Sequence, residues 1–229
     1  MNILAIDTSG GVCTAAVLAD NRLLSEVYMD GRRTHSETLG VMVDQCLKYA
    51  ELTAEDIDLF ACAIGPGSFT GLRIGVGFIK GLAHASHRPT LGVNTLDALA
   101  RNAAGFDALV CPIIDARREE VYTATYEDCS LKSHYRAMPL KNLLAELEGK
   151  RVLFLGDAAL KYREKICSAC PSFTVAHPGI ALQRAGSVGL CAFDMYESGE
   201  RQDVYSLEPF YLRETQAERV YAEKQRGAK

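Results

Sequence analysis

The sequence predicts an α/β protein built from two related halves with mixed sheets, and three observations carry that prediction. Short apolar runs alternate with stretches of helical periodicity along most of the chain. Two of those runs end in an aspartate and continue alike: IDTSGGVCTAAVLAD at 6–20 and IDARREEVYTATYED at 114–128, with Thr14-Ala15-Ala16 opposite Tyr122-Thr123-Ala124. Between them, CAIGPGSFTGLRIGVGFIKGLA, from Cys62 to Ala83, gathers Gly65, Gly67, Gly71, Gly75, Gly77 and Gly81 into what reads as strand, tight loop and helix. If each half opens on its aspartate motif, the division falls near Gly105, giving subdomains over 1–104 and 105–229.

The elements follow in order. Ile3 to Ile6 is a short strand stopped by Asp7-Thr8-Ser9-Gly10-Gly11, and Val12 to Leu18 and Leu23 to Tyr28 read as two more strands joined at Asp20-Asn21. Thr34-x-x-Glu37 has the form of a capping box for a helix from His35 to Tyr49, with Leu39, Met42, Val43, Cys46 and Leu47 on one face. Leu59 to Ile64 enters the glycine stretch, where Gly65-Pro66-Gly67 forces a turn and Ser68 or Thr70 can cap the helix beyond. Thr90 to Val93 and Thr95 to Ala104 read as strand and helix. In the second half, Leu109 to Ile114 and Val121 to Tyr126 are strands, Pro139 to Leu147 a helix and Val152 to Leu155 a strand. Gly156 to Ala159 then reads as a turn, Leu160 to Ile166 and Ala181 to Tyr196 as helices, and Pro209 to Arg213 as a short extended piece. The charged tail from Glu214 to Lys229 is expected to be frayed or weakly helical.

Composition narrows the function. The chain has 229 residues, 48% of them hydrophobic, which is ample for a core. A net charge of -4 provides no general cationic field, so tight binding to nucleic acid or anionic membrane by the lone chain is not expected. Any basic patch would have to be assembled by folding, Arg32-Arg33 with Arg117-Arg118 being the candidates. The apolar start has no basic region before it and stops at Asp7, so no export leader is expected. Cys13, Cys62 and Cys111 sit in strand-like runs as small hydrophobes, which suits a reducing compartment; cytoplasm is the expected location.

The motifs divide into those that fail and those left open. The glycine stretch lacks the Gly-Lys of a phosphate loop and the third glycine of a dinucleotide fingerprint. Glycine inside a helix costs roughly 1 kcal/mol against alanine, so the run needs a close neighbour: either packing within the chain or a subunit interface. Asp7, followed by hydroxyls and glycines, suits either an acid facing a metal-phosphate or an Asx-turn closing a hairpin. His35 and Glu37 lack a second histidine at ligand spacing, and Cys167-x-x-Cys170 lacks a second pair, so no metal site is assigned. His84 and His87 read as a helix end.

The chain resembles the TsaB (YeaZ) family, partners of TsaD in forming threonylcarbamoyladenosine on tRNA. The resemblance rests on IDTS at 6–9, HSETL at 35–39, GPGSFTGLRIG at 65–75, GVNTLDALA at 92–100, IDAR with EVY at 114–122, and PFYLR at 209–213. It implies the actin-like (ASKHA, ribonuclease-H-like) fold. In the similar stretch TsaD carries two metal-binding histidines where this chain has Thr95 and Leu99, which implies a chain with no catalytic residues and no metal. Bulky Arg117, Arg118, Glu119 and Glu120 stand where active relatives have small residues near phosphate, so self-sufficient ATP chemistry is not expected. ATP in the complex, and weak nucleotide contact by Asp7, Thr8 and Ser9, stay open. The partners implied are TsaD and the ATPase TsaE, with tRNA reached only through the complex, no membrane, and a homodimer when alone. The implied interface is the glycine helix (Gly67, Phe69, Thr70, Gly71, Arg73, Ile74, Gly75, Phe78) with His35, Leu39 and Met42 beside it. An active small-molecule kinase of this fold, or a glycoprotease-type metallopeptidase, is the alternative.

Overall fold

The computed structural model describes residues 1–31 and 33–213; Arg32 and the tail read as frayed or weakly helical lie outside the described residues. The first sheet starts as an antiparallel meander, β1 (Asn2–Asp7), β2 (Val12–Ala19) and β3 (Arg22–Asp30). β1 and β2 are buried along almost their whole length, which is why they read as continuous apolar runs and not as alternating ones. Helix α1 (His35–Tyr49) begins at the predicted capping box, where Glu37 accepts the Thr34 N–H at 3.0 Å. Two parallel additions, β4 (Leu59–Gly65) and β5 (Thr90–Asn94), with α2 (Phe69–Ser86) between them, complete the order β3-β2-β1-β4-β5.

After α3 (Thr95–Arg101) the second half rebuilds the same path. Its strands are β6 (Leu109–Asp115), β7 (Glu120–Thr123), the two-residue pair β8 (Tyr126–Glu127) and β9 (Ser130–Leu131), and β10 (Arg136–Pro139). Helix α4 (Leu140–Glu146), β11 (Val152–Leu155), α5 (Asp157–Lys161), α6 (Arg163–Ala169) and β12 (Phe173–Val175) follow. The chain then forms α7 (Pro178–Ala181) and α8 (Ala185–Glu197). The main path of the second sheet is β10-β7-β6-β11-β12, with β6-β7-β10 antiparallel and β6-β11-β12 parallel. The repeat legible in the two aspartate motifs thus extends to a whole sheet.

Four expected elements differ. The strand predicted from Val121 to Tyr126 ends at Thr123; Tyr126 belongs to β8 and buries its ring while its hydroxyl reaches Asp97 at 2.6 Å. The turn expected at Gly156 to Ala159 is the first turn of a helix, and the helix expected from Leu160 to Ile166 is two, α5 and α6, broken at Tyr162. The helix expected from Ala181 is also two, because Leu182 to Arg184 leave helical geometry and carry Gln183 toward the first sheet.

The division near Gly105 separates the sheets but not their cores. Helix α8, from the second half of the chain, packs Ala185, Val188 and Ala192 against Ile3, Ala16 and Leu18 of the first sheet. In exchange, α3 places Leu96 and Leu99 against Val110 and Leu153 of the second. Asp97, on the same helix, accepts hydrogen bonds from Tyr126 and Tyr135, and burial raises its carboxyl above the usual range despite them. Each sheet therefore depends on a helix from the other side of the boundary. Residues 1–104 expressed alone should lack a cooperative thermal transition by calorimetry, because one sheet face is left uncovered; a sharp melt would contradict this.

Candidate functional site

The site expected at the end of β1 is built by three close approaches between α2 and the loop after Asp7. A Cβ on Gly67 would overlap Ser9 O, one on Gly71 would overlap Thr8 O, and one on Gly75 would overlap Thr8 Oγ1. The loop and helix are also hydrogen-bonded: Ser68 N donates to Ser9 O at 2.6 Å, and Thr8 Oγ1 donates to Gly71 O at 2.8 Å. Ser68 itself caps α2, accepting Gly71 N at 3.3 Å. These glycines serve packing within the chain, which corrects the expectation that Gly67, Gly71 and Gly75 form a bare interface.

Asp7 is fully buried and closes an Asx-turn, its Oδ1 accepting Ser9 N at 2.8 Å and Ser9 Oγ at 2.6 Å, while Oδ2 has no partner among the described residues. Across the loop, His35 Nε2 donates to Gly10 O at 2.9 Å. Gln183 packs its amide against Gly10, with neither amide atom paired among the described residues. Nothing in the sequence singled out Gln183, which sits inside a run with helical spacing. Thr8 and Ser9 are as buried as Asp7, and the Thr8 and Ser9 hydroxyls and Asp7 Oδ1 are hydrogen-bonded within the chain.

The second aspartate hairpin is closed differently. Asp115 accepts Arg117 N at 3.1 Å and pairs with Lys161 at 2.6 Å; Glu119 pairs with Lys165 at 2.5 Å and Glu120 with Arg213 at 2.5 Å. Arg117, Arg118 and Glu119 have φ of 65°, 52° and 60°, a left-handed run that costs roughly 1–2 kcal/mol per non-glycine residue. Of the two residues expected to stand in place of metal ligands, Thr95 is buried with its hydroxyl unpaired among the described residues and Leu99 is in the core.

The outer surface of α1 and α2 holds the rest of the expected interface. Leu39 and Met42 are buried beneath it in the core, so they cannot line a contact; this too corrects the expectation. His35 and Ile74 are half-buried, Phe78 likewise, and Phe69, Thr70 and Arg73 are exposed. Gly77 and Gly81 have no atom within 4 Å of a built Cβ, and Val41 on α1 is 68% exposed. Arg73 lies 3.8 Å above the Phe69 ring and donates Nε to Tyr211 Oη at 3.1 Å. Tyr211 belongs to PFYLR, which crosses between the halves. Phe210 N donates to Ile64 O at 2.7 Å, its carbonyl fills the place of a Cβ on Gly65 (φ 124°), and its ring meets Tyr135 at 6.0 Å.

A family model described as TsaD: tRNA N6-adenosine threonylcarbamoyltransferase matches residues 23–219. The tRNA threonylcarbamoyladenosine biosynthesis protein TsaB of Bacillus subtilis (strain 168) is 32% identical over 233 residues, covering 99% of this chain and all of that protein. The chain belongs to the TsaB family. Among solved structures, YeaZ from Pseudomonas aeruginosa superposes with a TM-score of 0.75 at 28% identity, over 92% of this chain and 100% of that one. A ROK hexokinase from Thermus thermophilus, at 14% identity and a TM-score of 0.51 over 87% of this chain and 100% of that one, shares the fold only. The chain therefore has the actin-like α/β fold and takes part in threonylcarbamoyladenosine biosynthesis. No described helix is long and apolar enough to cross a membrane.

The buried loop yields a pH test. Burial pushes Asp7 up to about 6 from 3.8, outweighing the Ser9 bonds and the His35 charge. Between those values the folded chain holds a proton that the unfolded chain has released, so this group's contribution makes stability fall as pH rises from about 4 to about 6 and stay lower above. Asp7→Asn keeps an acceptor for Ser9 and removes the buried charge. It should raise stability at about pH 7.5 by about 1–3 kcal/mol, with the gain vanishing near pH 4. Calorimetry at both pH values checks this; an equal or lower melting temperature at the higher pH would contradict it.

Proposed function

We propose that this chain is a non-catalytic subunit that docks on a TsaD-type partner. With a TsaE-type ATPase, it supports transfer of threonylcarbamoyl from its adenylate to the adenosine beside the tRNA anticodon. The observation that carries the reading is a contrast between the two hairpins and the outer helix face. The hairpin at Asp7 is sealed by α2, and the acids of the hairpin at Asp115 are bound to Lys161, Lys165 and Arg213. Neither arrangement fits a metal-phosphate group, so no step is assigned to ATP on this chain. On α2, by contrast, Gly77 and Gly81 leave the helix bare toward solvent. Each such glycine costs roughly 1 kcal/mol in an exposed helix, a cost that a closely approaching partner helix accounts for and the isolated fold does not.

The surface around this bare stretch has the composition of a recognition site. Phe69 and Tyr211 stack at 5.3 Å with Arg73 over the Phe69 ring, an aromatic and arginine cluster of the kind that concentrates binding energy. Val41 and Gly40 on α1 and Phe78 on α2 extend it across both helices. Thr95 and Leu99 support the non-catalytic assignment, since a hydroxyl and an aliphatic side chain cannot replace a pair of imidazoles. A homodimer of the lone chain would use the same face.

Two measurements test the reading. In a reconstituted assay of tRNA modification, omitting this chain should abolish or strongly reduce product; undiminished modification would overturn the reading. Substitution then locates the contact. Gly77→Arg should fold and melt like the parent but lose more than a hundredfold in affinity for the partner, because a long cation would be trapped in a packed contact. Gly75→Arg should fail to fold, because Thr8 occupies its place. A Gly77→Arg chain that still pairs tightly would place the contact elsewhere.

A further inference from the structure

The hairpin between β6 and β7 has a charge arrangement that the docking reading leaves unused. Asp115, Glu119 and Glu120 are each held by a cation from another element: Lys161, Lys165 and Arg213. Arg117 and Arg118, exposed at the tip, have no ion-pair partner among the described residues. With every acid of the hairpin already neutralised, nothing beside the two arginines in this hairpin cancels them. In a chain of net charge -4, that makes the tip a local cationic point. Its shape is fixed as well, since Arg117 to Glu119 are held in one left-handed turn and Glu120 N donates to Arg117 O at 3.0 Å.

Position supplies the second half of the inference. Tyr211 stacks on Phe69 at the start of α2, and Arg213, two residues on, grips Glu120 of this hairpin. One short strap therefore touches both the aromatic cluster at the start of α2 and the base of the hairpin that carries the cationic tip.

We propose that Arg117 and Arg118 contact the phosphodiester backbone of tRNA held in the complex, which rests on the docking reading above. Such contacts position an RNA without reading its sequence. Two of them give the lone chain little affinity, but they add to a site the partner has already formed. Nucleoside triphosphate offers the same phosphate chemistry, and the test separates the two sources.

The test uses the assembled complex and an unmodified tRNA transcript, with binding followed by anisotropy from about 50 to about 200 mM salt. Each phosphate contact contributes about 0.7–0.9 to the slope of log K against log salt. Arg117→Ser with Arg118→Ser should therefore lower the slope by about 1.4–1.8, while the complex still forms and the chain still melts like the parent. The charge-matched pair Lys132→Ser with Lys150→Ser, at exposed sites elsewhere, should leave the slope unchanged. An unchanged slope in the arginine variant, with the complex intact, overturns the RNA contact alone. So does an unchanged slope accompanied by lost Mg-ATP binding, which would assign the tip to a nucleotide. A parent complex that does not assemble overturns the docking reading and this inference with it.

Discussion

The structure depends on how closely the backbone of α2 lies against the loop after Asp7. Three glycines permit it: Gly67 admits Ser9 O, Gly71 admits Thr8 O, and Gly75 admits the Thr8 hydroxyl. The approach ties the loop to the helix by two hydrogen bonds and shuts Asp7 away from solvent. The loop after Asp7 is a joint between sheet and helix. The joint also sets which face of α2 is left outside, since a helix that buries Gly71 and Gly75 turns Gly77 and Gly81 outward.

The two halves are held by exchange more than by a linker. Helix α8 covers the first sheet and α3 reaches the second, so neither core is complete without sequence from across the boundary. The segment around Phe210 adds a third tie, running from Ile64 past Tyr135 to Glu120. An aromatic cluster on α2 and a charged hairpin of the second half thereby share one strap. A partner bound at the cluster would meet a segment that also holds the hairpin.

Much of this was legible in the sequence, and the limits have physical reasons. Strand-end aspartates, the capping box at Thr34 and the apolar runs are local signals, and they located β1, α1 and the repeated sheet. The glycine pattern showed that something lies close to α2 but not from which side. Spacing by four fits either face of a helix, and only the fold separates Gly71 and Gly75 from Gly77 and Gly81. Leu39 and Met42 carried the same ambiguity, because an apolar stripe reads alike whether it meets a core or a partner. Gln183 and the Asp97 pairing with Tyr126 and Tyr135 join residues distant along the chain, and no local pattern announces them. PFYLR was visible as a motif; its role as a strap was not, since an extended segment shows no periodicity.

If the loop after Asp7 is a joint, the isolated chain has no nucleotide site there, and equilibrium titration with Mg-ATP tests that most directly. Calorimetric titration of the parent chain should show no saturable binding below about 1 mM, the weak end of the affinity scale. Stoichiometric binding in the micromolar range, lost on Asp7→Asn, would contradict the account, because it would require the Asp7 loop to open and α2 to release Thr8 and Ser9.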